Sequence, residues 1–113
     1  MADATTYLYK VTIGQVVDGD TVWLTVDLGF YTAHTVKVRM AGINAPELST
    51  AEGPVSKQAL ADFITAHPGQ WTAQTYKSGV DKYGRWLATL HAPDGTNVNQ
   101  WMLVNGFAVP DVG

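Results

Sequence analysis

Apolar and polar residues alternate with a period of two along much of the first forty residues. Residues 7–17 are rich in β-branched and aromatic side chains, and the dipeptide Asp18-Gly19 then indicates a turn. In residues 21–27 and 33–40 apolar side chains recur at every second position, which is typical of strands with one buried face. Leu28-Gly29 indicates a reversal between them. The pattern predicts a meander of three strands.

The second half of the chain alternates between helical and strand patterns. A helix is predicted from Pro54, which suits a first helical turn, until the breaker sequence at residues 67–69. Residues 70–77 and 86–91 have the composition and period of strands, with a turn between them. Residues 98–105 form a short amphipathic segment that Gly106 ends, which predicts a second helix.

The order of these elements predicts the fold class. Five strands, with a helix inserted after strand 3 and a short C-terminal helix, give a mainly β, α+β domain with the connectivity of an OB-fold barrel. Two other arrangements of three plus two strands remain open at this level. A chain of 113 residues forms one hydrophobic core, so residues 1–113 are predicted to be a single domain.

Composition removes several function classes. The chain has no cysteine, and its three histidines lack the spacing of a metal site, which excludes thiolate chemistry and disfavours zinc. Any metal would be held by oxygen, as calcium or magnesium is. The net charge of −3 argues against a general polyanion-binding surface, so a nucleic acid would bind at a local site. With no apolar run of roughly twenty residues and no secretory signal pattern, we expect no membrane segment and a cytoplasmic or already processed chain.

Three short segments carry the candidate chemistry: VVDGDTV from Val16, VRMAGINAPE from Val38 and DKYGRWLA from Asp81. The only two arginines of the chain, Arg39 and Arg85, lie in them. The planar guanidinium group binds phosphate oxygens in a bidentate manner that lysine cannot reproduce. Arginines combined with carboxylates and an oxygen-bound cation are suited to phosphoryl transfer, in which charge develops on phosphate oxygens.

These segments resemble the staphylococcal nuclease (thermonuclease) family, whose members are calcium-dependent phosphodiesterases on an OB barrel. The resemblance covers roughly residues 11–108 and extends through Gly53-Pro54, Asn99 and Gly106. The motif Asp-Gly-Asp-Thr alone would be weak evidence for the family, but its combination with the Arg39 and Asp81 segments is specific to it. The resemblance implies hydrolysis of single-stranded DNA or RNA with Ca²⁺, on the 5′-oxygen side of the phosphate, by a monomer or weak homo-oligomer.

The resemblance also implies a metal site. Asp20 matches the first calcium-ligating aspartate, with Asp18 beside it, and the carbonyl of Ala45 matches another calcium ligand. The second ligating aspartate of the family is Asn44 here. An amide oxygen can bind calcium but carries no charge, and the loss of one charge is expected to cost about 1–3 kcal/mol of binding. We therefore expect weak metal binding and reduced activity.

The catalytic positions of the family have their counterparts as well. Glu47 matches the residue that orients or deprotonates the attacking water, while Arg39 and Arg85 match the arginines that hold the phosphate. Lys82 and Tyr83 match residues near the terminal phosphate of a bound nucleotide. The sequence departs from the family after Gly106, where we expect the C-terminal helix and its base-stacking tyrosines to be missing; Tyr83 and Trp86 are candidates to replace them.

Each residue also has a structural interpretation. Asp18-Gly19 is a common turn dipeptide, Asp81 is expected only to brace its turn, and an isolated Arg39 would usually be a solvated strand residue. Trp23 is out of phase with the apolar face of its strand. The main alternative to a nuclease is a catalytically impaired module that binds nucleic acid or protein, as Asn44 and the acidic balance suggest; a structural assembly subunit is a third, weaker hypothesis.

Overall fold

The computed structural model describes residues 6–76 and 86–111. The predicted site residues Lys82, Tyr83 and Arg85, and the predicted turn residue Asp81, lie outside this part of the chain. The elements in chain order are β1 (Thr6–Asp18), β2 (Thr21–Gly29), β3 (Thr32–Met40), β4 (Ile43–Asn44), α1 (Glu52–Ala66), β5 (Trp71–Tyr76), β6 (Trp86–His91), α2 (Val98–Val104) and β7 (Val109–Pro110). None of the described helices is long and apolar enough to cross a bilayer.

Five of the strands close into a barrel, which confirms the predicted fold class. Their order is β1-β2-β3-β6-β5, and β1 closes the barrel by pairing with both β2 and β5. All pairs are antiparallel except β3 and β6, which run parallel. The helix α1 is inserted in the long crossover after β3, and α2 follows β6, as the sequence predicted.

The period of two places the apolar side chains inside the barrel. Val22 and Leu24 of β2, and Val38 and Met40 of β3, are almost completely buried, as every second residue of these strands should be if one face packs on the core. The helices contribute Leu60, Phe63, Val98 and Met102 to the same core. Each strand therefore presents its intervening residues on the outer face of the barrel.

A second, small sheet joins two distant segments. Ile43 in β4 pairs with Pro110 in β7, and Asn44 pairs with Val109. In the sequence, residues 42–53 indicate a loop, since they contain two glycines, Pro46 and few periodic apolar residues, and a two-residue strand is too short to show a period of two. The sheet is extended by a hydrogen bond from the Asp111 amide to the Gly42 carbonyl at 3.0 Å. It brings the end of the described chain onto the loop that follows β3.

The β2–β3 hairpin turns two residues later than predicted. Its two loop residues are Phe30 and Tyr31, with φ angles of 54° and 60°. Such a turn usually contains Asn-Gly, because both residues need a positive φ that bulky side chains rarely adopt. The aromatic pair gives no turn signal, so the reversal was assigned to Leu28-Gly29. Both aromatic side chains are fully exposed at the tip.

Candidate active site at the Asp20 end of the hairpin

The candidate site lies at the end of the hairpin opposite to its tip. Asp20 occupies the turn between β1 and β2, and Thr21 begins β2 directly opposite Arg39 of β3. The amide of Met40 donates to the carbonyl of Asp20 at 2.7 Å, which closes the hairpin at this end. The turn and the arginine are thus placed side by side by the register of two neighbouring strands.

Asp20 is buried and both of its carboxylate oxygens accept hydrogen bonds. Oδ1 accepts from the hydroxyl of Thr21 at 2.9 Å, and Oδ2 accepts from the backbone N–H of Ala45 at 2.8 Å. The guanidinium Nη2 of Arg39 lies 3.5 Å from Oδ2. Residues 20, 39 and 45 are therefore in direct contact, although they come from a turn, a strand and a loop.

Arg39 is only 8% exposed, so it is not a solvated strand residue. Its Nη1 donates to the carbonyl of Ile43 at 2.7 Å and to that of Met40 at 3.3 Å. Its Nη2 donates to the side-chain oxygen of Asn44 and lies 3.9 Å from a carboxylate oxygen of Asp111. These partners hold the planar group in one orientation, which is the preorganisation that recognition of a phosphate requires.

The two aspartates of the turn titrate differently. Burial raises the pKa of Asp18, and its hydrogen bond with Asp20 and the charge of Asp20 raise it further. Burial also opposes ionisation of Asp20, but hydrogen bonds from Asp18 and Ala45 and the charge of Arg39 outweigh it, so the pKa of Asp20 is lowered. As the pH falls, Asp18 therefore takes up a proton first, while Asp20 keeps its charge beside Arg39.

Two glycines allow the loop and helix α1 to approach the turn. A Cβ on Gly19 would lie 1.9 Å from the Ser56 hydroxyl and 2.8 Å from the Ala45 Cβ. A Cβ on Gly53 would lie 2.1 Å from the carbonyl oxygen of Glu47. A side chain at either position would force the loop away from the turn. Residues 45–47 are thus positioned by close backbone packing.

Glu47 lies on this loop with an exposed side chain. Its carbonyl accepts hydrogen bonds from the amide of Thr50 at 2.9 Å and from the Thr50 hydroxyl at 2.7 Å, which fixes the backbone at the start of α1. Its carboxylate belongs to the same short loop as Asn44 and Ala45, on a rigid support and open to solvent.

The donor types at the site are those that a hard cation prefers. The Asp20 carboxylate and the Asn44 amide oxygen both lie against Arg39, and the backbone N–H of Ala45 donates to Asp20. Calcium binds carboxylate, amide and backbone carbonyl oxygens. In the described part of the chain no three side chains of His, Cys, Asp or Glu group closely enough to hold a metal. The residue types fit calcium, but the neutral Asn44 gives the site a low negative charge. Asn44 and Asp20 also contact Arg39.

Sequence reasoning missed Asp111 and gave no role to Asn99, although both residues have contacts that shape the site. Asp111 reaches Arg39 only because β7 pairs with β4, and no local pattern links residues so far apart. Asn99 is buried in α2, where Nδ2 donates to the carbonyls of Ala41 at 2.8 Å and Ala88 at 3.1 Å. Its Oδ1 accepts from the amide of Leu90 at 3.1 Å. The sequence signal available for this structural role was an amide residue within the apolar pattern of a short helix.

Comparisons with known proteins identify sequences to which this chain is similar. Residues 37–111 match the family model described as "Staphylococcal nuclease homologue". A protein of Shigella flexneri named "Micrococcal nuclease" is 32% identical over 108 residues, which cover 88% of this chain and 57% of the relative. An "Uncharacterized endonuclease" of Escherichia coli O157:H7 is 34% identical over 94 residues, covering 83% of this chain and 56% of the relative. The chain thus spans little more than half the length of these relatives.

Proposed function

This chain belongs to the staphylococcal nuclease family, and we propose that it is a nuclease that hydrolyses phosphodiester bonds of single-stranded DNA or RNA. The observation that carries the proposal is the buried guanidinium group of Arg39, which hydrogen bonds to oxygens of Met40, Ile43 and Asn44 hold beside the ionised Asp20. An oriented, permanently charged fork in a partly dry site suits a phosphate ester. The names of the relatives, nuclease and endonuclease, support the same reaction class.

Each site residue has a proposed role in the reaction. Arg39 binds the phosphate and stabilises the charge that develops on its nonbridging oxygens. Glu47, whose carboxylate is exposed on the rigid loop, orients the attacking water and accepts its proton. By the family resemblance, Arg85 is the second phosphate-binding arginine and assists departure of the 5′-oxygen, while Lys82 and Tyr83 bind a neighbouring phosphate.

Calcium is the proposed cofactor. Asp20, Asn44 and the carbonyl of Ala45 would hold it, and a bound calcium ion would supply positive charge to the phosphate and a binding position for water. The hydrogen bonds that lower the pKa of Asp20 keep this carboxylate ionised and available. Because Asn44 is neutral, the site offers one charge fewer than a site with two aspartates.

A second function is supported by a specific contact. The amide oxygen of Asn44, a proposed calcium ligand, already accepts a hydrogen bond from Arg39, the proposed phosphate-binding residue. Binding of calcium by Asn44 and binding of phosphate by Arg39 would therefore both compete with this hydrogen bond. A domain in this state would bind nucleic acid or protein with little hydrolysis. The presence of Asp20, Arg39 and Glu47 together favours the enzyme, since binding alone does not require a base for water.

The experiment compares the two glutamates of the chain. A labelled single-stranded DNA or RNA is incubated with the protein in calcium and in chelator, using the wild type, Glu47→Gln and Glu52→Gln. Glu52 is exposed in the first turn of α1 and serves as the matched control. We expect calcium-dependent cleavage that falls at least about a hundredfold in Glu47→Gln and is unchanged in Glu52→Gln. Cleavage that survives both chelation and Glu47→Gln would contradict the proposal; binding without cleavage would favour the second function.

A further inference from the structure

One tryptophan of the barrel lies on its outer face. Trp23 follows Val22 and precedes Leu24, which both point into the core, so its own side chain points outward. Trp23 is 36% exposed; of the other tryptophans in the barrel strands, Trp71 is 4% exposed and packs in the core, and Trp86 at the start of β6 is 51% exposed. A large aromatic side chain left partly open on a sheet is available to a ligand.

Trp23 continues the face on which Arg39 lies. Thr21 pairs with Arg39, and Trp23 pairs with Lys37 in the next step along the same two strands. Residues two apart on a strand share a face and are separated by about 6.7 Å. A stacked nucleic-acid strand advances about 3.4 Å per nucleotide, so the pair lies about two nucleotides away from a phosphate bound at Arg39.

One neighbour of Trp23 gives this place positive charge, and another has no side chain. Lys37 is exposed, and its ammonium lies 5.9 Å from the centre of the Trp23 ring, near the outer limit of a cation–π contact. On the other side, β1 has a bulge between Ile13 and Val16, where Gly14 lies against Trp23 without a side chain. A Cβ on Gly14 would already come within 3.4 Å of the Trp23 Cβ.

We propose that Trp23 and Lys37 form a substrate subsite, in which a base of the single strand stacks on the indole and Lys37 binds the adjoining phosphate. The proposal rests on the proposed nuclease function, because the position of the strand on the protein is set by binding of its scissile phosphate at Arg39. Stacking on an aromatic ring tolerates any base, so the subsite supplies affinity without sequence specificity. It supplies part of the base stacking that the family resemblance led us to expect elsewhere.

The same face continues toward the tip of the hairpin. The hydroxyl groups of Thr25 and Thr35, the next cross-strand pair, hydrogen bond to each other at 3.0 Å. Beyond them lies a shallow cavity of about 310 Å³, lined in part by Thr25, Asp27 and Tyr31. Beyond Trp23 this face of the hairpin thus continues with two small polar side chains and a shallow cavity.

The test compares a long and a short substrate. The long one is a single-stranded oligonucleotide, as DNA and as RNA, and the short one is a nitrophenyl phosphodiester of one nucleoside, which cannot reach Trp23. We expect Trp23→Leu to raise KM for the oligonucleotide about tenfold and to leave kcat/KM for the short ester unchanged, while Trp23→Phe keeps most of the affinity. Tyr7→Leu, on an exposed aromatic of β1, is the control and changes neither.

The phosphate contact of Lys37 is tested by the salt dependence of oligonucleotide affinity. Lys37→Gln should reduce the slope of log affinity against log salt by about 0.7, the value for one phosphate contact to a single strand. Lys57→Gln on α1 should leave the slope unchanged. An equal loss on both substrates, or an unchanged oligonucleotide KM in Trp23→Leu, would overturn the subsite.

Binding measured without turnover separates the subsite from the nuclease proposal. Anisotropy of a labelled oligonucleotide in the Glu47→Gln background reports affinity alone. If the wild type cleaves nothing but Trp23→Leu still binds about tenfold more weakly, the nuclease proposal fails and the subsite stands. If the wild type cleaves and binding does not depend on Trp23, the subsite fails and the nuclease proposal stands.

Discussion

The two ends of the β2–β3 hairpin are built from the same pair of strands and have opposite properties. At one end Arg39 is buried among Asp20, Asn44 and the carbonyl of Ile43. At the other end Phe30 and Tyr31 are fully exposed with positive φ angles. Strand pairing extends to both ends, with one irregularity between Asp27 and Gly29 near the tip, and the larger difference is what covers each end. The β4 loop, α1 and β7 cover the Arg39 end and bring polar partners to it, whereas no described element covers the tip.

The comparison shows how covering changes the environment of a residue on the outward face of one hairpin. An outward arginine in an uncovered strand would be solvated and mobile. Covering it with carbonyl and carboxylate oxygens fixes its orientation and removes water, which strengthens its interaction with a phosphate. Lys37, one step along the same face, stays exposed and contributes charge without a fixed geometry.

The largest expected effect is the loss of the buried charge at the covered end. Arg39→Met leaves the buried Asp20 without its ion pair, and we expect the free energy of unfolding to fall by about 3–5 kcal/mol. Lys37→Met, on the same face but exposed, should change it by less than about 0.5 kcal/mol. Urea denaturation measures both. Similar losses in the two variants would mean that the two ends do not differ as described.

The next effect concerns calcium at the covered end. Asn44→Asp restores the second carboxylate and should raise calcium affinity about ten- to a hundredfold, or about 1.4–2.8 kcal/mol. Gln100→Glu on the exposed face of α2 adds the same charge elsewhere and serves as the control. Calorimetry with calcium decides between them. Equal affinities in wild type and Asn44→Asp would show that the charge at residue 44 does not act on the ion.

A smaller effect is expected at the tip. Replacing Phe30 by Asn together with Tyr31 by Gly supplies the residues that a turn with two positive φ angles prefers. The relief of strain, less the entropy that glycine adds to the unfolded chain, should stabilise the protein by about 1 kcal/mol. The double alanine variant removes the same rings but keeps strained side chains, so it should show no gain. Thermal denaturation distinguishes the two.

The smallest effect is in pH dependence and separates the carboxylates at the two ends. The pKa of Asp18 is raised in the folded protein, so its ionisation reduces stability as the pH rises from about the ordinary value of 3.8 through the folded pKa. In the folded protein the amide of Asp20 donates to a carboxylate oxygen of Asp18 at 3.0 Å, and Asp18→Asn keeps an oxygen for this hydrogen bond. Because the variant has no carboxylate to ionise, we expect it to be more stable than the wild type at pH 7 but not at pH 3. Asp20 contributes in the opposite direction, since its lowered pKa stabilises the fold above 3.8 and that contribution is lost on acidification through the folded pKa.

The matched control for that experiment is Asp27→Asn near the tip. Asp27 is exposed, and its side chain accepts from the amide of Gly29 at 2.8 Å, a bond that an asparagine oxygen can replace. We expect the stability of this variant to follow the wild type at both pH values in thermal melts. A gain at pH 7 as large as that of Asp18→Asn would contradict a special environment at the covered end.

Much of the fold followed from local pattern. The barrel strands and both helices were predicted because each is long enough to show its period. Their order predicted the OB barrel but left two other arrangements open, and the structure confirms the barrel. The family resemblance pointed to Asp20, Arg39, Asn44 and Ala45, which lie in contact in the structure. Glu47 was placed on the same loop; the roles of all these residues, and those of Lys82, Tyr83 and Arg85, stay predictions.

What escaped the sequence had physical reasons. The β4–β7 pairing involves two residues on each side, too few for a period. The turn at Phe30 and Tyr31 contradicts the preferences of its own residues. Asn99 connects the carbonyls of Ala41 and Ala88 by tertiary packing, which an isolated amide in a helix pattern does not specify.

The sequence by itself determined the strands, the helices and the residue types available for chemistry, because period, turn residues and charge are properties of neighbours along the chain. The tertiary structure decided which outward residues would be covered. Burial of Arg39 depends on oxygens from residues 20, 43, 44 and 111 meeting at one place, and the neighbours of Trp23, Lys37 on one side and Gly14 on the other, depend on how β2 pairs with β3 and β1. Both follow from contacts between segments distant in sequence, whose free energy no local pattern contains.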